Sequence, residues 1–219
     1  MTLAQQLSEQ GFAFLPSYAP QELTISAVSR LGTIASLHDI DNVQMLRPRA
    51  LTDAPPNIYS GTYGFDAFPL HTDLAHWALP PRYFVLRCII GAHDVATRLL
   101  DGNNVVTAIG SQVLRRALAQ PRRAVDGTKP ILRLLDRVDN TRLLLRWDSL
   151  FIRPATKASA AVFDMVNERL CMCAPLSILL VEPGDTLIVE NWRMLHGRSA
   201  VPVTSRQRHI DRVYLGDLQ

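Results

Sequence analysis

Tyr83-Phe-Val-Leu-Arg-Cys-Ile-Ile90 is the stretch on which the fold reading turns. Its aromatic and β-branched residues, closed by Pro80-Pro81 on one side and Gly91 on the other, read as a buried strand. Downstream, Thr97-Arg-Leu-Leu100 reads as a shorter strand running into Asp101-Gly102. Ser177-Ile-Leu-Leu-Val181 and Thr186-Leu-Ile-Val189 read as two more strands around the turn Glu182-Pro-Gly184-Asp185, and residues 208–215 as a last one. Upstream, Gly11-Phe-Ala-Phe-Leu-Pro16 is a short strand closed by proline. Residues 51–69, with Pro55-Pro56, Gly61, Gly64 and Pro69 among aromatics, read as loop and short strand.

Helical spacing of apolar residues covers residues 3–10, residues 21–31 with Gly32 as a stop, residues 105–119 ahead of Pro121, and residues 158–170. Ile131-Leu-Arg-Leu-Leu135 and Arg142-Leu-Leu-Leu-Arg146 are expected to pair as strands around Asp139-Asn140. Many short strands with helices at their margins predict a mainly β fold with flanking helices, a double-stranded β-helix of the cupin-type jelly-roll class. With no repeat, low-complexity stretch or composition shift, residues 1–219 read as one domain with one active site.

Apolar residues make up 47% of the chain and charged residues 20%, which excludes disordered and fibrous classes. The opening residues show no basic segment followed by an apolar one, and no run approaches the about 18 apolar residues of a membrane span. The expectation is a cytoplasmic protein with no membrane partner. Three cysteines make no disulfide framework, and Cys171-Met-Cys173 has the wrong spacing for structural zinc, so buried free thiols are expected. The net charge of +3 comes from arginine, since Lys129 and Lys157 are the only lysines. Those arginines are scattered among acids, as in Asp136-Arg137-Val-Asp139-Asn-Thr-Arg142, which argues against a nucleic-acid partner.

Phe68-Pro-Leu-His71-Thr-Asp73 carries the chemistry. In a strand or its exit, residues i and i+2 project to the same side, so an imidazole and a carboxylate converge there. Imidazole and carboxylate suit Fe(II), and a second histidine completes the facial triad that leaves positions open. His196, in Glu190-Asn-Trp-Arg-Met-Leu-His196-Gly-Arg198, supplies it, and the glycine after it allows close backbone approach. His209-Ile-Asp211 repeats the spacing but has no later histidine, so it reads as a surface or core strand pair. No Gly-x-Ser-x-Gly elbow, phosphate loop or dinucleotide fingerprint occurs, which leaves hydrolase and nucleotide-binding readings without their parts.

Taken together, the His71-Thr-Asp73 box, Pro80-Pro81 leading a strand, Thr97 to Gly102, Arg146-Trp-Asp148 with Phe151-Ile-Arg-Pro154, Gly184-Asp-Thr and Asn191-Trp-Arg-Met-Leu-His-Gly-Arg198 occur in a telling order. In that order they resemble the taurine dioxygenase and γ-butyrobetaine hydroxylase family, the clavaminate synthase-like Fe(II)/2-oxoglutarate oxygenases. The resemblance implies an Fe(II) site at His71, Asp73 and His196. It implies 2-oxoglutarate and O2 as cosubstrates, and oxidation, by default hydroxylation, of a small molecule with release of succinate and CO2. Of Arg206, Arg208 and Arg212, the family pattern and the last strand's alternation favour Arg208 for the 2-oxoglutarate carboxylate, where a two-pronged guanidinium fits an acid. Arg212, on the same strand face, is then expected at an acidic group of the substrate.

Thr97 falls where the family's threonine meets the cosubstrate, although Asp94-Val95 stand in place of the family's glycines. The stretch between Gly102 and Trp192 is shorter than in the family, which implies an open site or a substrate recognised by fewer residues. Trp192 is expected beside the site, and Trp77 and Trp147 in the core. Arg146, Arg153, Arg193 and Arg198 read as structural or solvated partners, and His38, His76, His93 and His209 as hydrogen-bonded rather than ligating. Two other readings stay open: an oxidative desaturase or cyclase with the same iron site, and a non-catalytic jelly roll that binds a ligand.

Overall fold

The run at 83–90 lies at the centre of a six-stranded antiparallel sheet, with both of its faces covered. The computed structural model describes residues 2–125 and 127–219. In chain order the first half comprises α1 (Leu3–Gln10), β1 (Phe12–Leu15), α2 (Thr24–Ser29), β2 (Gly32–Ile34), β3 (Gln44–Leu46), α3 (Tyr59–Tyr63), β4 (Phe68–His71), β5 (Tyr83–Ile90) and β6 (Ala96–Asp101). The second half comprises α4 (Asn103–Ile109), α5 (Ser111–Arg116), β7 (Leu118–Pro121), β8 (Leu132–Arg133), β9 (Leu135–Arg137), β10 (Leu143–Leu145), β11 (Ile152–Pro154), α6 (Lys157–Met172), β12 (Leu176–Leu179), β13 (Thr186–Glu190), β14 (Met194–Arg198) and β15 (His209–Leu218). No described helix is long and apolar enough to cross a membrane.

The major sheet runs β1-β13-β5-β15-β2, with β3 also on β15, and a four-stranded sheet runs β12-β6-β14-β4. Strand alternation sorts their side chains into three cores. Phe84, Leu86 and Cys88 of β5 meet Leu99 of β6 and Met194 of β14 between the sheets. Tyr83 and Val85 point the other way, onto Leu7 of α1 and Val28 of α2. Leu100 and Leu195 leave the back of the smaller sheet to pack with Leu114, Trp147 and Phe163 of the 103–172 segment. Each fully buried aliphatic or aromatic side chain contributes about 1.5–3 kcal/mol, so these layers hold the two sheets face to face. The jelly-roll expectation is met.

Several boundaries differ from the sequence reading, each for a local reason. The helix expected over 105–119 breaks at Gly110, whose φ of 96° no helix adopts, and its last residues become β7. Gly32 does not stop a helix: it opens β2, where an added Cβ would lie 2.2 Å from the Asp217 carbonyl oxygen. The expected pairing near 139–140 forms between β9 and β10, while β8 joins β7 instead. The 158–170 helix begins earlier because the Thr156 hydroxyl caps it by accepting from Ser159 N at 3.1 Å. Of the three thiols only Cys88 is buried. Cys171 is exposed and Cys173 half-buried, because the last turn of α6 runs out into solvent.

α1 ends at Gly11 with φ 77°, and a Cβ there would lie 2.5 Å from Met194 Sδ. Gly11→Ala therefore combines left-handed backbone strain with an overlap against the inter-sheet core. It should cost about 1–3 kcal/mol, read as a lower urea midpoint with unchanged slope. An unshifted midpoint would show that Met194 yields freely.

Candidate metal centre

β4 and β14 are neighbours in the smaller sheet, and their register sets His196 directly across from His71. The two imidazoles face the inter-sheet space with ring centroids 4.2 Å apart. Asp73 follows β4 by two residues and turns its carboxylate to both, with Oδ1 3.7 Å from His71 Nε2 and 3.6 Å from His196 Nε2. One ligand atom from each of these three residues lies within 4.8 Å of the others, and all three are buried.

The neighbours of this trio orient it. His71 Nδ1 donates to the Pro69 carbonyl at 2.9 Å, which turns Nε2 toward the shared centre. Between the ligands, Thr72 points away and exchanges hydrogen bonds with Trp147: its N–H donates to the Trp147 carbonyl at 2.7 Å and its hydroxyl accepts from Trp147 N at 3.1 Å. The buried amide of Asn191 grips the Asp73 backbone twice, accepting from its N–H at 2.7 Å and donating to its carbonyl at 3.0 Å. Leu74 then turns the chain at φ 55°, a conformation that a branched residue holds only when its surroundings fix it. Arg146 does that fixing, donating to the carbonyls of Ala75, Trp77 and Ala78.

Charge follows from the geometry. Burial opposes ionisation of Asp73, but the Arg212 guanidinium and the two imidazoles outweigh it and hold the carboxyl well below its usual range. Burial and the adjacent His71 push His196 down to about 3, so it stays a neutral donor. His71 is also penalised by burial, yet hydrogen bonding to Asp73 and the charges of Asp148 and Asp73 raise it. A cation binding here would displace that proton.

A cavity of about 420 Å³ opens in front of the trio. Arg208, Ile210, Arg212 and Tyr214 alternate along the β15 edge of it, as period-two spacing requires. Arg208 is buried, its Nε has no hydrogen-bond partner among the described residues, and burial lowers its pKa to about 10. Thr97 of β6 also lines the cavity, whereas Arg206 lies outside the lining with its guanidinium over the Phe65 ring. Arg212 faces inward but is committed: Nη1 donates to Asp73 Oδ2 at 2.8 Å and Nε to Gln44 Oε1 at 3.2 Å. Trp192 does not line the cavity. Its indole donates to the Pro80 carbonyl at 2.9 Å beneath the guanidinium groups of Arg82 and Arg142, because Trp192 lies in the middle of the 191–193 turn, which directs it to the β5 entry.

The remaining arginines behave as structural partners. Arg193 pairs with Asp101, Arg153 reaches Gln120 at the surface, and Arg198 stands over Phe68, although it also borders the cavity. His209 and Asp211 bond to each other at 2.9 Å on the opposite face of β15, as a core strand pair should. Sequence reasoning missed Tyr59, whose ring stacks on His71 at 4.2 Å, and the buried Asp148 of the Arg146-Trp-Asp148 motif. It also missed Gln44, Arg47 and Arg49 at the cavity wall. Tyr214 could have been found by extending the alternation from Arg208 and Arg212.

No family model matches the sequence, and no curated protein is similar to it. Solved structures are. An asparagine oxygenase in complex with Fe(II), 2S,3S-3-hydroxyasparagine and succinate aligns at TM-score 0.72 with 16% identity, over 97% of this chain and 77% of that one. The fold is the jelly roll of the iron oxygenases. PvcB, an Fe, α-ketoglutarate-dependent oxygenase from an isonitrile synthetic pathway, aligns at 0.69 with 17% identity over 97% and 78% of the two chains. The non-haem iron oxygenase OrfP in complex with Fe and α-ketoglutaric acid gives 0.69 and 15% over 97% and 77%.

His76 borders the cavity stacked on Phe151, with ring centroids 5.1 Å apart, and burial pushes it down to about 4 from an ordinary 6.5. Its folded-state pKa lies below the unfolded one, so the stability it contributes is complete above pH 6.5 and is lost as pH falls toward 4. His76→Phe should remove up to about 3 kcal/mol of the wild type's acid destabilisation over that window. Urea midpoints measured from pH 7 to 4 check this, and parallel curves for the two proteins would refute it.

Proposed function

We propose that this protein is an Fe(II)- and 2-oxoglutarate-dependent oxygenase of the taurine dioxygenase and γ-butyrobetaine hydroxylase branch, hydroxylating a small anionic molecule. The observation that carries the reading is the convergence of His71, Asp73 and His196 on the cavity that also holds the buried Arg208, whose Nε has no hydrogen-bond partner among the described residues. Two imidazole donors and one carboxylate are the ligand types that suit Fe(II), and the Nδ1 bond to the Pro69 carbonyl aims His71 Nε2 at the shared centre. Neighbouring folds contain Fe(II), succinate and α-ketoglutaric acid, which supports the same partners here.

Fe(II), bound with 2-oxoglutarate and O2, supplies the oxidising power for cleaving a C–H bond as 2-oxoglutarate becomes succinate and CO2. The chain's own residues do the rest. Arg208, buried and short of acceptors, offers both prongs of its guanidinium to the distal carboxylate of 2-oxoglutarate, with Thr97 nearby on β6. Leu74, Leu86, Phe151 and Ile210 give the wall that excludes water. With Arg212 held by Asp73, an anionic substrate group would meet Arg49 and Arg47 in the same cavity lining, Arg47 also bonding the His209 ring nitrogen at 3.3 Å. The free thiols Cys171 and Cys173 fit a reducing compartment, the cytoplasm.

Succinate release on adding Fe(II), 2-oxoglutarate and O2, screened across free amino acids and their amides, tests the reading. Fe(II)-dependent release that an added acid stimulates is expected. A protein that binds neither Fe(II) nor 2-oxoglutarate would overturn it in favour of a ligand-binding jelly roll. Within the active enzyme, Arg208→Lys should raise the 2-oxoglutarate requirement about tenfold or more, the loss of one good prong at about 1.4 kcal/mol. Arg206→Lys should stay near wild type, and the reverse order would reassign the cosubstrate anchor.

A further inference from the structure

Asp73 has two carboxylate oxygens, and the two sheets divide them. Oδ1 faces the imidazoles of the smaller sheet, 3.6 Å from His196 Nε2 and 3.7 Å from His71 Nε2. Oδ2 accepts from two side chains of β15 in the major sheet, Arg212 Nη1 at 2.8 Å and the Tyr214 hydroxyl at 3.1 Å. Gln44 of β3 holds the far side of the guanidinium, its Oε1 accepting from both Nε and Nη2 of Arg212. The arginine thus cannot swing out toward a substrate without abandoning bonds on both sides.

A carboxylate binds a divalent ion through one oxygen or through both. An ionised carboxylate oxygen has about two lone-pair sites, and Oδ2 spends both on these donors. The difference matters where three protein ligands must leave three positions open, two for a chelating 2-oxo acid and one for O2. An Asp73 bound through both oxygens would occupy one of them. We propose that Arg212 and Tyr214 are positioning residues that keep Asp73 a single-oxygen ligand and so preserve the third open position. This rests on the Fe(II)/2-oxoglutarate reading, and it replaces the role of substrate anchor that the sequence pattern suggests for Arg212.

Two affinities separate the roles. Co(II), which binds without turnover, is titrated calorimetrically into wild type, Tyr214→Phe, Arg212→Lys and the double variant Arg212→Met with Tyr214→Phe. 2-Oxoglutarate is then titrated into each Co(II)-loaded protein. Freeing Oδ2 adds a ligand atom and removes a nearby positive charge, so the double variant should keep Co(II) affinity within about threefold or gain some, while 2-oxoglutarate affinity falls about tenfold or more. Tyr214→Phe changes no charge and should lower 2-oxoglutarate affinity about threefold. Arg212→Lys, which keeps one donor, should fall between it and wild type. Unchanged 2-oxoglutarate affinity in Tyr214→Phe and the double variant overturns the proposal. So does joint loss of Co(II) and 2-oxoglutarate binding in either, the mark of a merely structural role. A wild type that takes up no Co(II) would instead overturn the oxygenase reading.

Discussion

The register of β14 against β4 is the constraint from which the site follows. Antiparallel pairing sets His196 opposite His71, and a slip of one residue would turn one imidazole to the back of the sheet, into the core of Leu100 and Leu195. Apolar residues on both sides of the sheet pin that register: Met194 must face the major sheet and Leu195 the 103–172 segment. Gly197 permits it locally, since a Cβ there would lie 2.6 Å from the Phe68 carbonyl oxygen. The facing positions of the two imidazoles are thus set by burial of hydrocarbon on the residues just before His196.

The second sheet contributes through β15, whose inward face carries Ile210, Arg212 and Tyr214, with Arg208 in phase just before its first residue. The extra residue of the irregularity between β15 and β5 sits on β5, where Ile89 has no partner between Ile90 and Cys88. A bulge on the other strand would have thrown Arg208 out of phase with Arg212. This is why simple alternation reads the inward set correctly from the sequence. The same alternation says which way Arg212 faces but not what it meets, because Asp73 comes from another sheet and Gln44 from a distant strand.

Legibility elsewhere divides along similar lines. The strands at 83–90 and 186–189 are buried on both faces, so their composition declares them, and the His71-Thr-Asp73 box shows itself by spacing. The helix over 105–119 misleads because apolar periodicity continues past Gly110, whereas the backbone there takes a φ that ends the helix. Trp192 misleads for another reason: its closeness to His196 in the chain says nothing of a turn that sends it beneath Arg82. Asp148, Tyr59 and the 44–49 arginines reach the cavity from three separate segments, and no local pattern joins those segments.

Asn191 ties the Asp73 backbone to the start of the ligand-bearing β14 segment with two hydrogen bonds, and Arg146 ties down the loop beyond it with three. The ligands are therefore organised by amide and guanidinium groups of the chain itself rather than by an ion. In small zinc modules, by contrast, metal binding and folding are one event and the chelated protein unravels. An ion bound here would add only its mass-action share to the unfolding free energy, growing with the logarithm of its free concentration. On the proposed reading, withdrawing such an ion would leave the chain folded and ready to reload, and one divalent ion could replace another without passing through an unfolded chain.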